Sequence, residues 1–270
     1  MNRIDLDQVM KEPIQGHTSK GDQPKWQSNG RWYKADHMGY EALSEVLIAG
    51  LLEKSNVQDF VRYQPVEIMR EGKLLHGCES MNFRGKDEML VPFERLHRAY
   101  KGEGLARTLA KKGSTAERIQ YTVDFVEDVT GLTAVGWYIT MLLELDSLFL
   151  NEDRHTNNLA VIRNEKTLTY RLCPIFDNGL ALLSDLNDYP LNADIYRCIE
   201  RVQAKPFDRD FLEQVSAAEA IYGSQISFSF KRNDISGILS AMTGMYSDEV
   251  LDRVERVLLE QMRKYPVYFR

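Results

Sequence analysis

The sequence predicts an α+β protein of two lobes, a small β-rich lobe followed by a larger helical one. Three observations lead there. Short extended stretches joined by glycine turns fill roughly the first eighty residues and are interrupted by one helical stripe. Helical periodicity dominates from about residue 114 onward, and within that half a polar loop follows a long apolar run and precedes a hairpin.

The first element is the hairpin in "PKWQSNGRWYKAD", where Asn29-Gly30 lies between Trp- and Tyr-containing segments; the Asn-Gly pair is the strongest short-range hairpin signal. A helix is expected over Tyr40 to Glu53, because Leu43, Val46, Leu47, Gly50 and Leu51 form one stripe. Residues Gln64 to Met81 read as a second hairpin turning at Glu71-Gly72-Lys73. The polar stretch Arg84 to Glu88 is the expected crossing, which sets an N-lobe over residues 1–83 and a C-lobe over 84–270. Ser114 and Glu117 make a capping-box pattern for a helix to about Val129. Leu132 to Leu150 is apolar nearly all round, but Glu144 and Asp146 make it a buried core helix rather than a membrane span. Two short strands follow, "NLAVIRN" and "LTYRLCPIF", with a polar turn around Asn164-Glu165-Lys166. Helical patterns resume at Asp208 to Ile221, Asp234 to Met242 and Ser247 to Tyr265.

Composition removes several function classes. With 270 residues, 43% of them hydrophobic, the chain can bury a sizeable core. A formal charge of -6 gives no support to a protein that binds nucleic acid by neutralising many phosphates. Cys78, Cys173 and Cys198 lack CxxC spacing and fit neither a disulfide framework nor a zinc site, so a reducing cytoplasm is expected. The start "MNRIDLDQVMKE" is charged rather than apolar, so neither secretion nor membrane association is expected; non-classical export would leave no sequence trace.

The chemistry concentrates in "NEDRHTNNLAVI", Asn151 to Ile162, and in "CPIFDNGLALL" beyond it. Phosphoryl transfer from a nucleotide needs in-line positioning and charge neutralisation more than covalent chemistry. Asp153, in a loop after the buried helix, suits the base that takes the acceptor proton, and Asn158 and Asp177 offer hard oxygen ligands for magnesium. A hairpin between them brings the two ligands together. Lys34 at a strand end suits the phosphates, with Glu41 or Glu45 of the next helix to hold it. Ahead of it, "GHTSKGDQPKW" can expose backbone donors to phosphate. Each residue alone has a plainer reading: a lysine at a strand end is usually solvated, and His155 serves equally as a loop cap or a nucleotide contact. His17, His37, His76 and His97 have no acidic partner at a telling spacing. It is the order of glycine loop, strand lysine, helix glutamate, acid-asparagine loop and post-hairpin acid that matches a two-lobed, protein-kinase-like fold.

Together "SKGDQPKW", "YKAD", "SEVLIAGLLEKSN", "NEDRHTNNLAVI" and "PIFDNG" resemble the kinase domain of the HipA-like serine/threonine kinases, and the compact length resembles the CtkA-type members. The blocks run in order from Thr18 to Gly179. The loop is inverted relative to eukaryotic protein kinases, the acid preceding the histidine, and phosphoinositide kinases share that spelling. The resemblance implies Asp153 as catalytic base, Asn158 and Asp177 as magnesium ligands and Lys34 on the phosphates of ATP, with Glu45 as its ion-pair partner and Glu41 in reserve. It also implies Ser19, Gln23 and His155 around the nucleotide, and autophosphorylation at Ser19 or Thr18. The "DNG" at Asp177 to Gly179 departs from the kinase pattern with a central phenylalanine. The start of the chain, about a dozen residues before the phosphate loop, implies that the amino-terminal domain of full-length HipA proteins is absent.

The expected activity is therefore ATP- and magnesium-dependent phosphorylation of a protein, in trans or of the chain itself. A kinase for a phosphoinositide or small molecule is the runner-up, disfavoured for an anionic lipid by the three aspartates, Asp185, Asp188 and Asp194, in "NGLALLSDLNDYPLNADIYR". A nucleotide-binding pseudokinase is the alternative outside catalysis, although none of the expected positions is substituted. A hydrolase would leave Asn158 and Lys34 without a task.

Overall fold

The computed structural model describes residues 2–7 and 23–270. Among the described residues, five strands and one helix make the small lobe: β1 (Asn2–Asp5), β2 (Lys25–Ser28), β3 (Arg31–Ala35), α1 (Glu41–Leu52), β4 (Tyr63–Arg70) and β5 (Lys73–Met81). They form one sheet in the order β1-β4-β5-β3-β2, antiparallel except for β1 beside β4. Both expected hairpins are present. Asn29 and Gly30 have φ of 49° and 74°, and Glu71 and Gly72 have 51° and 70°, the paired positive values of a type I′ turn whose twist suits the flanking strands.

Alternation along β3 decides where its lysine goes. Tyr33 and Ala35 pack with Leu6, Val66 and Ile68 on one face of the sheet. A period of two turns Lys34 to the other face, beside Cys78, its cross-strand partner, and Tyr63, whose ring centroid is 5.3 Å from Nζ. Gly77 lets β5 come close enough: a Cβ there would stand 2.5 Å from the Lys34 carbonyl oxygen.

The chain then enters a second sheet through β6 (Glu88–Pro92), an unexpected strand that begins at the last residue of the expected crossing; α2 (Phe93–Lys101) and α3 (Leu105–Leu109) were not expected either. The helices α4 (Thr115–Thr130) and α5 (Val135–Phe149) coincide with the two expected stripes. Ser114 Oγ accepts the Glu117 N–H at 3.1 Å, as the capping pattern requires. Strands β7 (Ala160–Asn164) and β8 (Tyr170–Leu172) complete the order β6-β7-β8. The bidentate Arg171–Glu88 pair ties β8 to β6 and, with the Gly85 N–H, draws the Glu88 carboxyl down to about 2. Four helices follow, the unexpected α6 (Ile195–Arg201) and the expected α7 (Phe211–Tyr222), α8 (Arg232–Ser240) and α9 (Asp248–Lys264).

The main core runs without a break from Leu43, Leu47 and Leu51 of α1 into Leu142, Leu145 and Phe149 of α5, so the helix behind the small sheet belongs to the same apolar body as the large lobe. In α5, Glu144 accepts the N–H groups of Gln225 and Ile226, and Asp146 faces an arginine; these are the two acids that set the helix apart from a membrane span. Among the described residues no helix is long and apolar enough to cross a membrane, and all three cysteines are free and buried.

Asp36, in the β3–α1 connection, joins the lobes: it accepts the Ala42 N–H at 2.7 Å and the Tyr246 hydroxyl at 2.6 Å. Burial outweighs both hydrogen bonds and pushes its carboxyl up to about 7. Because it ionises less readily folded than unfolded, the stability it lends is full below about pH 4, declines as pH rises from 4 to 7 and is lost above. Asp36→Asn keeps an acceptor for Ala42 without the titration. It should flatten the fall in unfolding free energy between pH 5 and 8 by on the order of 2 kcal/mol, measured by urea unfolding at the two values. An unaltered slope would show that Asp36 folds as a carboxylate.

Candidate functional site

The site is assembled where β3, α1 and two loops of the large lobe meet. Lys34 Nζ lies 2.5 Å from Glu45 Oε1 and 2.8 Å from Asp177 Oδ1. Glu45 is fully buried in α1, and its second oxygen accepts the Asn178 N–H at 2.9 Å. Burial disfavours the Lys34 ammonium, but Asp177 and Glu45 outweigh it and raise the lysine well above its usual range. Lys34 in turn holds Asp177 far below the ordinary carboxylate range against burial, so the cluster carries a charged lysine and a charged Asp177 at neutral pH.

Of the two glutamates considered for Lys34, Glu45 meets it. Glu41 instead accepts the N–H groups of His37, Met38 and Gly39, the last two at 2.7 and 3.0 Å, and shapes the turn that leads into α1. Gln23 sits beside Gly179, and its Nε2 is buried with no partner among the described residues. Ser19 and Thr18 lie outside the described residues.

The second half of the site is the loop after α5. Leu150 ends that helix in the left-handed region and turns the chain into Asn151–Asn158. Asn151 Oδ1 accepts the Asp153 N–H at 3.2 Å, and Asn158 Nδ2 donates to the Asp153 carbonyl at 2.8 Å. The second bond decides the orientation of the Asn158 amide: its nitrogen is held, and its oxygen is left as a hard ligand. The Asp153 side chain is buried, with Lys205 Nζ at 3.4 Å and His155 Nε2 at 4.0 Å. Burial raises its carboxyl above the ordinary value, opposed by His155 and Lys205 and reinforced by the Asp177 charge. That influence of Asp177 puts the two halves of the site within electrostatic reach.

Arg154 fastens them together. It is fully buried, it pairs with Asp146 of α5 through contacts of 2.9 to 3.2 Å, and it donates to the Phe176 carbonyl at 2.9 Å and to Asn178 Oδ1 at 2.8 Å. Asn178, the residue that departs from the kinase pattern, is thus the polar link between α1 and the Asp153 loop, through its N–H to Glu45 and its Oδ1 to Arg154. The aromatic packing falls one residue earlier, where Phe176 meets Phe83 at a centroid distance of 5.5 Å. Asp177 itself has φ of 62°, a conformation rare outside glycine and frequent where a structure holds a functional residue under strain.

The arrangement offers cations and metal ligands facing one another. One Asp177 oxygen is taken by Lys34, and the other, with Asn158 Oδ1, suits a hard divalent cation. The nearby acids Glu152, Asp185 and Asp188 also have oxygens within 4.8 Å of one another, but Tyr189 donates to Glu152, and Asp185 accepts the Asn187 N–H, so they serve the fold of the next loop. Sequence reasoning missed Asn151, Asn178, Arg154 and Lys205. Asp146 was the available signal for Arg154, an acid in an apolar helix that needs a buried cation.

No family model matches the sequence, and no curated protein does. Among solved structures, the chain is similar to a Helicobacter pylori proinflammatory kinase, CtkA, with a TM-score of 0.65 over 97% of this chain and 94% of that one, at 16% sequence identity. The likeness is one of fold. The α+β architecture of a five-stranded small lobe and a helical large lobe is kinase-like.

Proposed function

We propose that the chain is an ATP- and magnesium-dependent serine/threonine protein kinase of HipA-like type, acting in the cytoplasm on a protein or on itself, with an N-lobe over residues 1–83 and a C-lobe over 84–270. The observation that carries this reading is the bridge of Lys34 between Glu45 and Asp177, at 2.5 and 2.8 Å, facing a loop that presents a buried Asp153 and the oxygen of Asn158. The kinase-like fold supports it.

In this reading each residue has one task. Lys34, fixed by Glu45, holds phosphate oxygens of the nucleotide, and Gln23 contributes a donor at the same place. Asp153 receives the proton of the acceptor hydroxyl, and the burial that raises its carboxyl makes it a better base than an exposed aspartate. Asn158 and Asp177 would hold magnesium, which when bound neutralises phosphate charge. Arg154 and Asn151 keep both loops in register.

Incubation of the full chain with magnesium and ATP, followed by intact mass and peptide mapping, tests the reading. Added phosphate is expected, with Ser19 and Thr18 as sites, and none without magnesium. Transfer only to a phosphoinositide or small molecule would move the assignment to that acceptor. ATP binding without transfer to any acceptor would make the chain a pseudokinase.

A further inference from the structure

Lys205 reaches Asp153 from 52 residues further along the chain, out of the loop between α6 and α7. That loop is firmly built. Ala204 N–H donates to the Arg209 carbonyl at 2.8 Å, the Phe207 N–H to Gln214 Oε1 at 2.8 Å, and Arg118 of α4 to the Phe207 carbonyl at 2.6 Å. Beneath it lies a concavity of about 400 Å³ lined by Arg118 and residues 204–209. Lys205 therefore belongs both to its wall and to the surroundings of Asp153.

The charge balance of this wall is distinctive in a chain whose formal charge is -6. Lys205, Arg209 and Arg118 line it against a single acid, Asp208. Asp208 is already engaged by the Thr115 hydroxyl at 3.0 Å and the Asp210 N–H at 3.0 Å, with Arg118 at 3.8 Å. Arg209 is exposed, the Lys205 side chain is 41% exposed, and Arg118 Nε is buried with no partner among the described residues. Positive charge is thus left over, in a fixed hollow next to Asp153.

We propose that this concavity recognises the acceptor, and that it selects a polypeptide segment with an aspartate or glutamate close to the hydroxyl that is phosphorylated. The inference rests on the protein-kinase reading above. An extended segment advances about 3.4 Å per residue, so with its hydroxyl at Asp153 an acid one to three positions away is within reach of Lys205, 3.4 Å from Asp153, and of the wall that Lys205 shares with Arg209 and Arg118. A weakly held, half-exposed Lys205 can exchange Asp153 for the incoming carboxylate at small cost.

Two fluorescently labelled peptides of one length, each with a single serine flanked by glutamates or by lysines at the same positions, test the site by anisotropy against the full chain. The glutamate peptide should bind about tenfold or more tightly than the lysine peptide, and Arg209→Glu should abolish or reverse the order. Lys205→Met should weaken the glutamate peptide alone. Equal binding of the two peptides, or an order indifferent to Arg209→Glu, overturns the proposal. So does binding to phosphatidylcholine vesicles containing phosphatidylinositol 4-phosphate when neither peptide binds. Phosphate transfer is read separately with magnesium and ATP. A glutamate peptide that binds through Arg209 yet gains no phosphate sustains the recognition site and sinks the protein-kinase reading. Equal phosphorylation of both peptides does the opposite.

Discussion

Replacing Asp153 by asparagine should slow phosphoryl transfer about a thousandfold, the usual span for loss of a positioned general base, while ATP affinity and melting temperature stay close to the parent values. Asparagine has the same shape but cannot take a proton. The bonds that hold the loop use the Asp153 backbone, through its N–H to Asn151 and its carbonyl to Asn158, and they survive the exchange. The lost ion pair with Lys205 costs little because that lysine is 41% exposed. Single-turnover transfer and a nucleotide-binding isotherm separate the outcomes: a rate above a tenth of the parent, or loss of ATP binding together with transfer, would reject the role. In the parent, the acid limb of the rate profile should lie above the ordinary aspartate range, since burial raises this carboxyl.

Arg154→Met should be the most damaging single change to stability, at about 3 to 5 kcal/mol, or on the order of 10 °C in melting temperature. Methionine fills much of the same space but leaves Asp146 buried, nearly without exposure, and stripped of its cation; the Asn151 amide, at 2.9 Å, would be its remaining neighbour among the bonds described. Adding Asp146→Leu removes the stranded charge, and the double variant should recover much of the lost stability, because a buried pair exchanged whole for apolar side chains is often nearly neutral. Transfer activity should stay low in the double variant, since Phe176 and Asn178 lose the donor that aligns Asp177. Paired urea titrations check the first claim. A cost under about 1 kcal/mol for the single variant would mean that water reaches Asp146.

Much of the fold was legible where its signals are local. The Asn29-Gly30 turn, the α1 stripe and the Ser114–Glu117 cap each state a backbone geometry within a few consecutive residues. Strands β1 and β6 were not legible. β1 is four residues in a charged segment and is paired by lying parallel to β4, and β6 is held by β7, which comes much later in the chain. The candidate site divides in the same way: Asp153, Asn158, Asp177 and Lys34 stood out by residue type and order, whereas Lys205 carries no signal in "QAKPFD".

The sequence by itself determined the α+β class, the two hairpins, the helices α1, α4, α5 and α7 to α9, and the residue types offered for phosphoryl transfer, because periodicity, turn chemistry and caps act over one or two turns of chain. Only the tertiary structure decided that Glu45 rather than Glu41 meets Lys34, that Asp177 comes to that lysine across 143 residues, that Asn178 links α1 to the Asp153 loop through Arg154, and that Lys205 closes on Asp153. Such contacts depend on side-chain direction and on the burial of charge, both of which arise once the lobes pack on a common core.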